Sequence, residues 1–296
     1  MTIYEIAKLA GTSVSTVSRV INRSAKVSPE VEKRVLEVME QNNYTPNELA
    51  RGLSLNKTNL IGVIIPGINS FFTKFLNGIN EKCKAKGYSI IIATPSDYKK
   101  AYISERRSFD LLYSKRVDGI LYFPTGITAD YFKILEELAE KLPIVSVERE
   151  IEGVQTIPAV IQDNYEGSSK AVKYLISKGH KKIGFLKGPE CFKTVSERYK
   201  AYIDTMKENG LIIEEEWIIS GILSINSGYR SVKELINSGR NLPTALLAAN
   251  DNMAIGAMRA LLEAGIKIPE EVAVMGFDNI EMGEYFYPSL TTVNQE

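Results

Sequence analysis

The chain has 296 residues, 44% of them hydrophobic, with 36 Lys plus Arg against 36 Asp plus Glu. That length favours roughly two domains with sizeable cores, and the balanced charge excludes a basic field over the whole molecule, so any nucleic-acid contact must come from a local patch. Cys83 and Cys191 are far apart and lack CxxC spacing, which fits reduced cytosolic thiols better than a disulfide framework or a zinc site. The first residues carry Glu5 and Lys8 and no apolar stretch of signal-peptide length, and no apolar run is long enough to span a bilayer, so a cytoplasmic protein without membrane contact is expected.

From residue 1 to about 56 the pattern is helical throughout. Thr2 and Glu5 have capping-box spacing, Ile3, Ile6, Ala7 and Ala10 share a face, and Gly11 supplies the stop. Ser13 caps a second helix that buries Val17, Val20 and Ile21 and turns Ser15, Ser18, Arg19 and Asn22 to the other side. Ser28-Pro29 opens a third helix with Val31, Val35, Val38 and Met39 inward, and Asn42-Asn43 closes it. Thr45-Pro46-Asn47 restarts a short segment, residues 47–58, with helical potential.

Beyond Leu60 short apolar runs alternate with amphipathic stretches. Strands are predicted at 61–65, 89–93, 119–123, 144–147, 182–186, 245–249 and 272–276, and helices at 71–86, 103–115, 131–141, 166–178, 196–209, 228–238 and 252–264. Strand and helix in turn make parallel sheets covered on both faces, and this stretch exceeds one βα domain. Two lobes follow, with ligands expected at the carboxyl ends of strands. The predicted fold is an all-α helix-turn-helix head over 1–46, a hinge and linker over 47–58, and a two-lobed α/β domain over 59–296. Its first lobe takes about 59–161 plus 291–296, and its second about 162–290.

A helix-turn-helix needs a small residue where its helices touch, Gly in the turn and a branched apolar residue on the second helix; Ala7, Gly11 and Val17 meet these demands. The polar face of the second helix then fits the major groove, with Arg19 able to bridge a guanine or clasp phosphate, while Lys8, Arg19, Arg23 and Lys26 outweigh Glu5 locally. Spacing alone also allows an ordinary three-helix unit with a solvated polar face.

Residues 2–7 (Thr-Ile-Tyr-Glu-Ile-Ala), 10–13 (Ala-Gly-Thr-Ser), 16–22 (Thr-Val-Ser-Arg-Val-Ile-Asn) and 43–47 (Asn-Tyr-Thr-Pro-Asn) resemble the head of the lactose-repressor (LacI/GalR) family of transcription regulators. The resemblance continues through Asn69-Ser70-Phe71-Phe72, Arg116-Val117-Asp118-Gly119-Ile120, Asp163-Asn164, Ala249-Asn250-Asp251 and Gly276-Phe277-Asp278, and so covers essentially the whole chain. It implies a repressor whose operator binding is controlled by a small-molecule effector, a carbohydrate by expectation, with palindromic operator DNA and a second copy of the chain as partners and with no cofactor or metal. By the same resemblance Val14 and Ser15 select the operator, and Ser13, Ser18, Asn22 and Ser28 meet phosphates. Thr2, Thr16, Arg19 and Asn47 join the DNA contacts, Leu53 wedges into the minor groove, and Ala50 lets two hinge helices approach.

In the lobes, the resemblance puts Arg198 and Asp278 on ligand hydroxyls, Glu148 and Asn250 beside them, and the rings of Phe71 and Phe72 on an apolar sugar face. Two positions depart from the family pattern: Glu148-Arg149 stands where Asp-Arg is common, and Gly221-Ile222-Leu223 replaces an acid and an aromatic ring, which weakens the inference to an ordinary pyranose. Residues 289–295 resemble the family's crossing strand, normally followed by a further helix and strand, so a shortened chain with weaker dimerisation is expected. A secreted sugar-binding protein needs a signal peptide and no such head. An α/β enzyme is disfavoured because there is no GxGxxG, no complete phosphate loop at Gly167-Ser168-Ser169-Lys170, and a single histidine, His180, after a helix end.

Overall fold

A computed structural model describes residues 1–22, 26–44, 57–95, 101–124, 129–151, 153–190 and 192–295, with 101, 102 and 129–132 described in backbone only. The chain divides into Met1–Asn59 and Leu60–Glu296.

The first unit holds α1 (Ile3–Leu9), α2 (Val14–Asn22) and α3 (Pro29–Gln41). The capping box forms as the sequence predicts: Thr2 Oγ1 accepts from Glu5 N, and Thr2 N donates to Glu5 Oε2 at 2.7 Å. Gly11, at φ +59, then reverses the chain while Thr12 N donates to Ala7 O at 3.0 Å and Gly11 N to Lys8 O at 3.3 Å. This satisfies carbonyls that the end of α1 would otherwise leave open. Ile6, Ala7, Ala10, Val17, Val20 and Val35 form the buried core, and Arg34 Nε ties α3 to the Ala10 carbonyl at 2.8 Å. The expectations for Arg23, Asn47, Ala50, Leu53 and Cys191, and for the hinge apart from residues 57 and 58, lie outside the described residues.

In the second unit β1 (Leu60–Ile64), α4 (Ser70–Ala85), β2 (Ser89–Ala93), α5 (Ala101–Ser114), β3 (Gly119–Tyr122), α6 (Ala129–Ala139), β4 (Ile144–Val147) and β5 (Ala159–Val160) build the first lobe. The second lobe comprises α7 (Asn164–Ser177), β6 (Ile183–Lys187), α8 (Lys193–Glu208), β7 (Ile218–Ser220), α9 (Ile225–Asn237), β8 (Ala245–Ala248), α10 (Asp251–Glu263), β9 (Ala273–Phe277), α11 (Glu281–Tyr285) and β10 (Thr291–Val293). The sheets run β2-β1-β3-β4-β5 and β10-β9-β8-β6-β7, and every pairing is parallel. Their central strands are apolar throughout, as sheets covered on both faces require; β8 and β9 are buried at every position.

One expected assignment is corrected. Residues 291–296 were expected in the first lobe, but β10 pairs with β9 in the second sheet, Thr292 opposite Gly276. Asp278 N donates to Val293 O at 3.0 Å, and Thr292 Oγ1 donates to the buried carboxylate of Asp251, so this segment completes the β9 edge. The short β5, β7 and α11 were not predicted.

Candidate binding cleft and nucleic-acid interface

In the head, the hydroxyls of Ser13, Ser15 and Thr16 gather at the start of α2, with Ser13 Oγ 2.8 Å from Ser15 Oγ and 2.9 Å from Thr16 Oγ1. Thr16 N donates to Ser13 Oγ at 3.1 Å, which caps the helix. A helix N-terminus dressed with hydroxyls is suited to a phosphate. One turn on, Asn22 Nδ2 donates to Ser18 Oγ at 3.2 Å. Ser13, Ser15 and Arg19 are exposed, and Ser28 at the start of α3 makes no side-chain capping bond. Val14 is half-buried against the head's core, so it does not act on solvent alone.

In the second unit, all six side chains expected at the effector site line one cavity of about 450 Å³: Phe71, Phe72, Glu148, Arg198, Asn250 and Asp278. The fold accounts for the convergence. Pro66 and Asn69 follow β1, Phe123 and Pro124 follow β3, and Glu148 follows β4; in the other lobe Pro189 and Phe192 follow β6, Ile222 and Leu223 follow β7, Asn250 follows β8 and Asp278 follows β9. Parallel strands deliver their carboxyl-end loops to one rim, where ligands of such sheets sit. Asn69 and Asn250, both lining the cavity, cap α4 and α10 through Oδ1, at 3.1 Å to Phe72 N and 3.0 Å to Met253 N, and among the described residues neither Nδ2 is engaged.

Arg198 is buried and held on several sides. Nε donates to Asn164 Oδ1 at 2.9 Å, Nη1 donates to Ala249 O at 2.7 Å and contacts Asp278 Oδ1 at 3.3 Å, and the guanidinium lies 3.7 Å from the centroid of the Phe277 ring. Among the described residues Nη2 is left for a ligand. Asp278 also accepts from Gln295 Nε2. Burial pushes the Asp278 carboxyl up to about 7; Arg198 opposes the shift, and Asp251 and Glu148 reinforce it. Burial likewise raises Glu148 to about 7 against the pull of Arg198. For Asp278, a 3.3 Å contact from a guanidinium shared with Ala249 and Asn164 and one amide hydrogen bond from Gln295 do not replace the lost hydration. Both acids occupy the left-handed region, Glu148 at φ +72 and Asp278 at φ +119, a backbone cost of order 1–3 kcal/mol that concentrates at functional sites.

Asn69, Phe123, Phe192 and Ser224 also line the cavity and were not assigned to it from the sequence, while Leu223 lines it at the position where the sequence departs from the family's aromatic ring. Their legible signal was position: each stands just beyond a strand end or at a helix cap. Gly188 makes room for Leu223, because a Cβ there would lie 2.6 Å from Leu223 Cδ2.

A helix-turn-helix head joined in one chain to a two-lobed unit with a polar and aromatic cleft defines a ligand-responsive DNA-binding regulator. Residues 2–47 match the profile of bacterial regulatory proteins of the lacI family, and residues 58–296 match that of periplasmic binding proteins and the sugar binding domain of the LacI family. The chain therefore belongs to the LacI family: it is a DNA-binding transcriptional repressor with a small-molecule effector domain. It is 36% identical over 297 residues to the HTH-type transcriptional repressor PurR of Pasteurella multocida (strain Pm70), covering 99% of this chain and 86% of that protein. It is 35% identical over 296 residues to the PurR repressor of Histophilus somni (strain 129Pt), covering 99% and 87%. Among solved structures, the lac repressor dimer bound to operator and the anti-inducer ONPF superposes with a TM-score of 0.86 at 27% identity, over 100% of this chain and 88% of that one. The transcriptional regulator CelR in complex with cellobiose gives 0.70 at 28% identity, over 100% and 88%. Its relatives are repressors rather than enzymes, and no helix among the described residues is long and apolar enough to cross a membrane.

Proposed function

We propose that the protein binds a palindromic operator as a homodimer and that a hydroxyl-rich small molecule, a carbohydrate or a derivative of one, controls this binding from the interlobe cleft. One observation carries the reading: side chains drawn from 71 to 278 in sequence meet at one cavity, at the carboxyl ends of strands from both sheets. Arg198 Nη2 and the two asparagine amides supply donors. Glu148 and Asp278, held near neutrality, each supply a donor in the acid form and an acceptor in the ionised form. Sugar hydroxyls use both roles. Ser13, Ser18, Asn22 and Ser28 meet the DNA backbone, Val14 and Ser15 select the site, Thr2, Thr16, Arg19 and Asn47 add contacts, and Ala50 and Leu53 act in the minor groove. The protein works in the cytoplasm.

A thermal-shift screen of mono- and disaccharides against the full chain identifies the ligand, and an operator selected from a randomised duplex library supplies the DNA. Arg198→Ala and Asp278→Asn are expected to abolish the ligand's effect on operator affinity and to leave affinity without ligand within about threefold. Normal ligand affinity by calorimetry in both variants contradicts the placement.

A further inference from the structure

Among the described residues that line the cleft, Glu148, Arg198 and Asp278 carry charge, and they do not balance: two acids face one cation. The cation is already committed. Arg198 gives Nε to Asn164 and Nη1 to Ala249, with only a 3.3 Å contact left for Asp278 Oδ1. Gln295 donates to that same oxygen, so Asp278 Oδ2 accepts no hydrogen bond among the described residues. Glu148 is emptier still, since its carboxylate accepts no hydrogen bond there and only the charge of Arg198 compensates it. The two acids approach from opposite lobes, Glu148 beyond β4 and Asp278 beyond β9, close enough for their charges to interact. Burying carboxylates so poorly partnered is costly, and the missing partner is a cation.

The rest of the lining fixes what else that cation carries. Thr194 and Ser224 present hydroxyls from the second lobe, and Asn69 and Asn250 present amides from both, all suited to ligand hydroxyls. The rings of Phe71, Phe72, Phe123 and Phe192 are apolar without excluding positive charge, because a ring face attracts an ammonium. An anion would instead add a further negative charge to the two acids.

We infer that the ligand is an amino sugar, a hydroxylated ring carrying one ammonium group that sits between Glu148 and Asp278. This rests on the carbohydrate reading above and narrows it. An ammonium donates charge-assisted hydrogen bonds to both carboxylates, each roughly twice as strong as one from a neutral hydroxyl. It also brings the charged lining to neutrality. Both acids must then be ionised, so binding expels protons that they hold in the empty cleft, and affinity climbs with pH. Asp251, the further acid acting on Asp278, is held by Thr292 and the Ile280 amide and does not line the cavity.

The test is titration calorimetry on the full chain with the 2-amino and 6-amino forms of glucose, galactose and mannose, their parent hexoses and their N-acetyl derivatives. At least one amino sugar is expected to bind tenfold or more tighter than both its parent and its N-acetyl form. Its affinity is expected to rise at least fivefold from about pH 5.5 to about pH 7, where the acids ionise, while that of the parent does not rise. Glu148→Gln, with a thermal melt confirming that it folds, is expected to shrink the amine-to-parent ratio below threefold. A ratio under tenfold in the unaltered chain, an affinity that fails to rise with pH, or a ratio that survives Glu148→Gln overturns the inference and leaves the carbohydrate reading standing. Binding of cyclohexylamine as tight as that of the best amino sugar, or no binding by any of these sugars or by the disaccharides of the thermal-shift screen, overturns both.

Discussion

Burial keeps the Glu148 and Asp278 carboxyls partly protonated near neutral pH, and the sign of the consequence follows from linkage. An acid whose pKa rises on folding stabilises the fold fully below its unfolded value, near 4.5 for Glu148 and 3.8 for Asp278, and this contribution is lost as pH climbs through about 7. The ligand-free protein should therefore lose stability between about pH 4.5 and 7. Glu148→Gln should flatten the slope by an amount on the order of 3 kcal/mol across that window; urea melts at several pH values measure it, and an unchanged slope refutes the assignment. In the head, exchanging Ser15 for another family member's residue should redirect operator choice by about 1–3 kcal/mol per base contact. The half-buried Val14 should, when exchanged, also shift the melting temperature. Selection on a random duplex library reads the first effect and calorimetry the second. At this scale the sequence was legible where chemistry is carried by motif, as at Arg198 and Asp278. It was not legible where conformation decides: nothing in the residue type announces that Glu148 takes φ +72 or that Phe192 turns into the cleft.

Elements with a long hydrophobic period were read directly, since α8, α9 and α10 bury whole faces and β8 and β9 are apolar throughout. β5 and β7, with 2 and 3 residues, are too short to show a period, and they exist because a neighbouring strand offers them a ladder. β10 was seen as a strand but assigned to the wrong lobe, because its partner is chosen by register with β9 rather than by its own sequence. Glycine spacing carries further information of this kind. A Cβ on Gly228 would lie 2.1 Å from Met253 O and one on Gly256 would lie 2.0 Å from Ile225 O, so α9 and α10 touch backbone to backbone. Gly256→Ala must push these helices apart and should cost about 3 kcal/mol, at the upper end for overpacking. Loss of less than 1 kcal/mol in a denaturant titration would show that the helices do not meet so closely. At Gly276 a Cβ would lie 2.0 Å from Asp251 Oδ1, the oxygen that holds Thr292 of β10, so the glycine of Gly276-Phe277-Asp278 has a packing reason as well as a place in the family pattern.

For the whole molecule, the two units carry separable chemistry: a head that presents hydroxyls beside the exposed Arg19, and a cleft that presents acids, amides and rings. Leu53→Ala should weaken operator binding far more than binding to random duplex, because a wedge acts only where the minor groove opens. The salt dependence should stay steep, since the phosphate contacts proposed for the head would be untouched by this change. Equal losses on both duplexes would remove Leu53 from that role. The central claim is that occupation of the cleft changes the grip on DNA. It is tested most directly by anisotropy titrations of the selected operator, with and without a saturating dose of the ligand identified by thermal shift, for the full chain and for Asp278→Asn. The account predicts that the ligand changes operator affinity at least fivefold in the unaltered chain, within the ordinary range of coupling between sites, and leaves Asp278→Asn unmoved at an affinity close to that of the ligand-free protein. Operator affinity indifferent to the ligand in the unaltered chain, or a full response in Asp278→Asn, would contradict it.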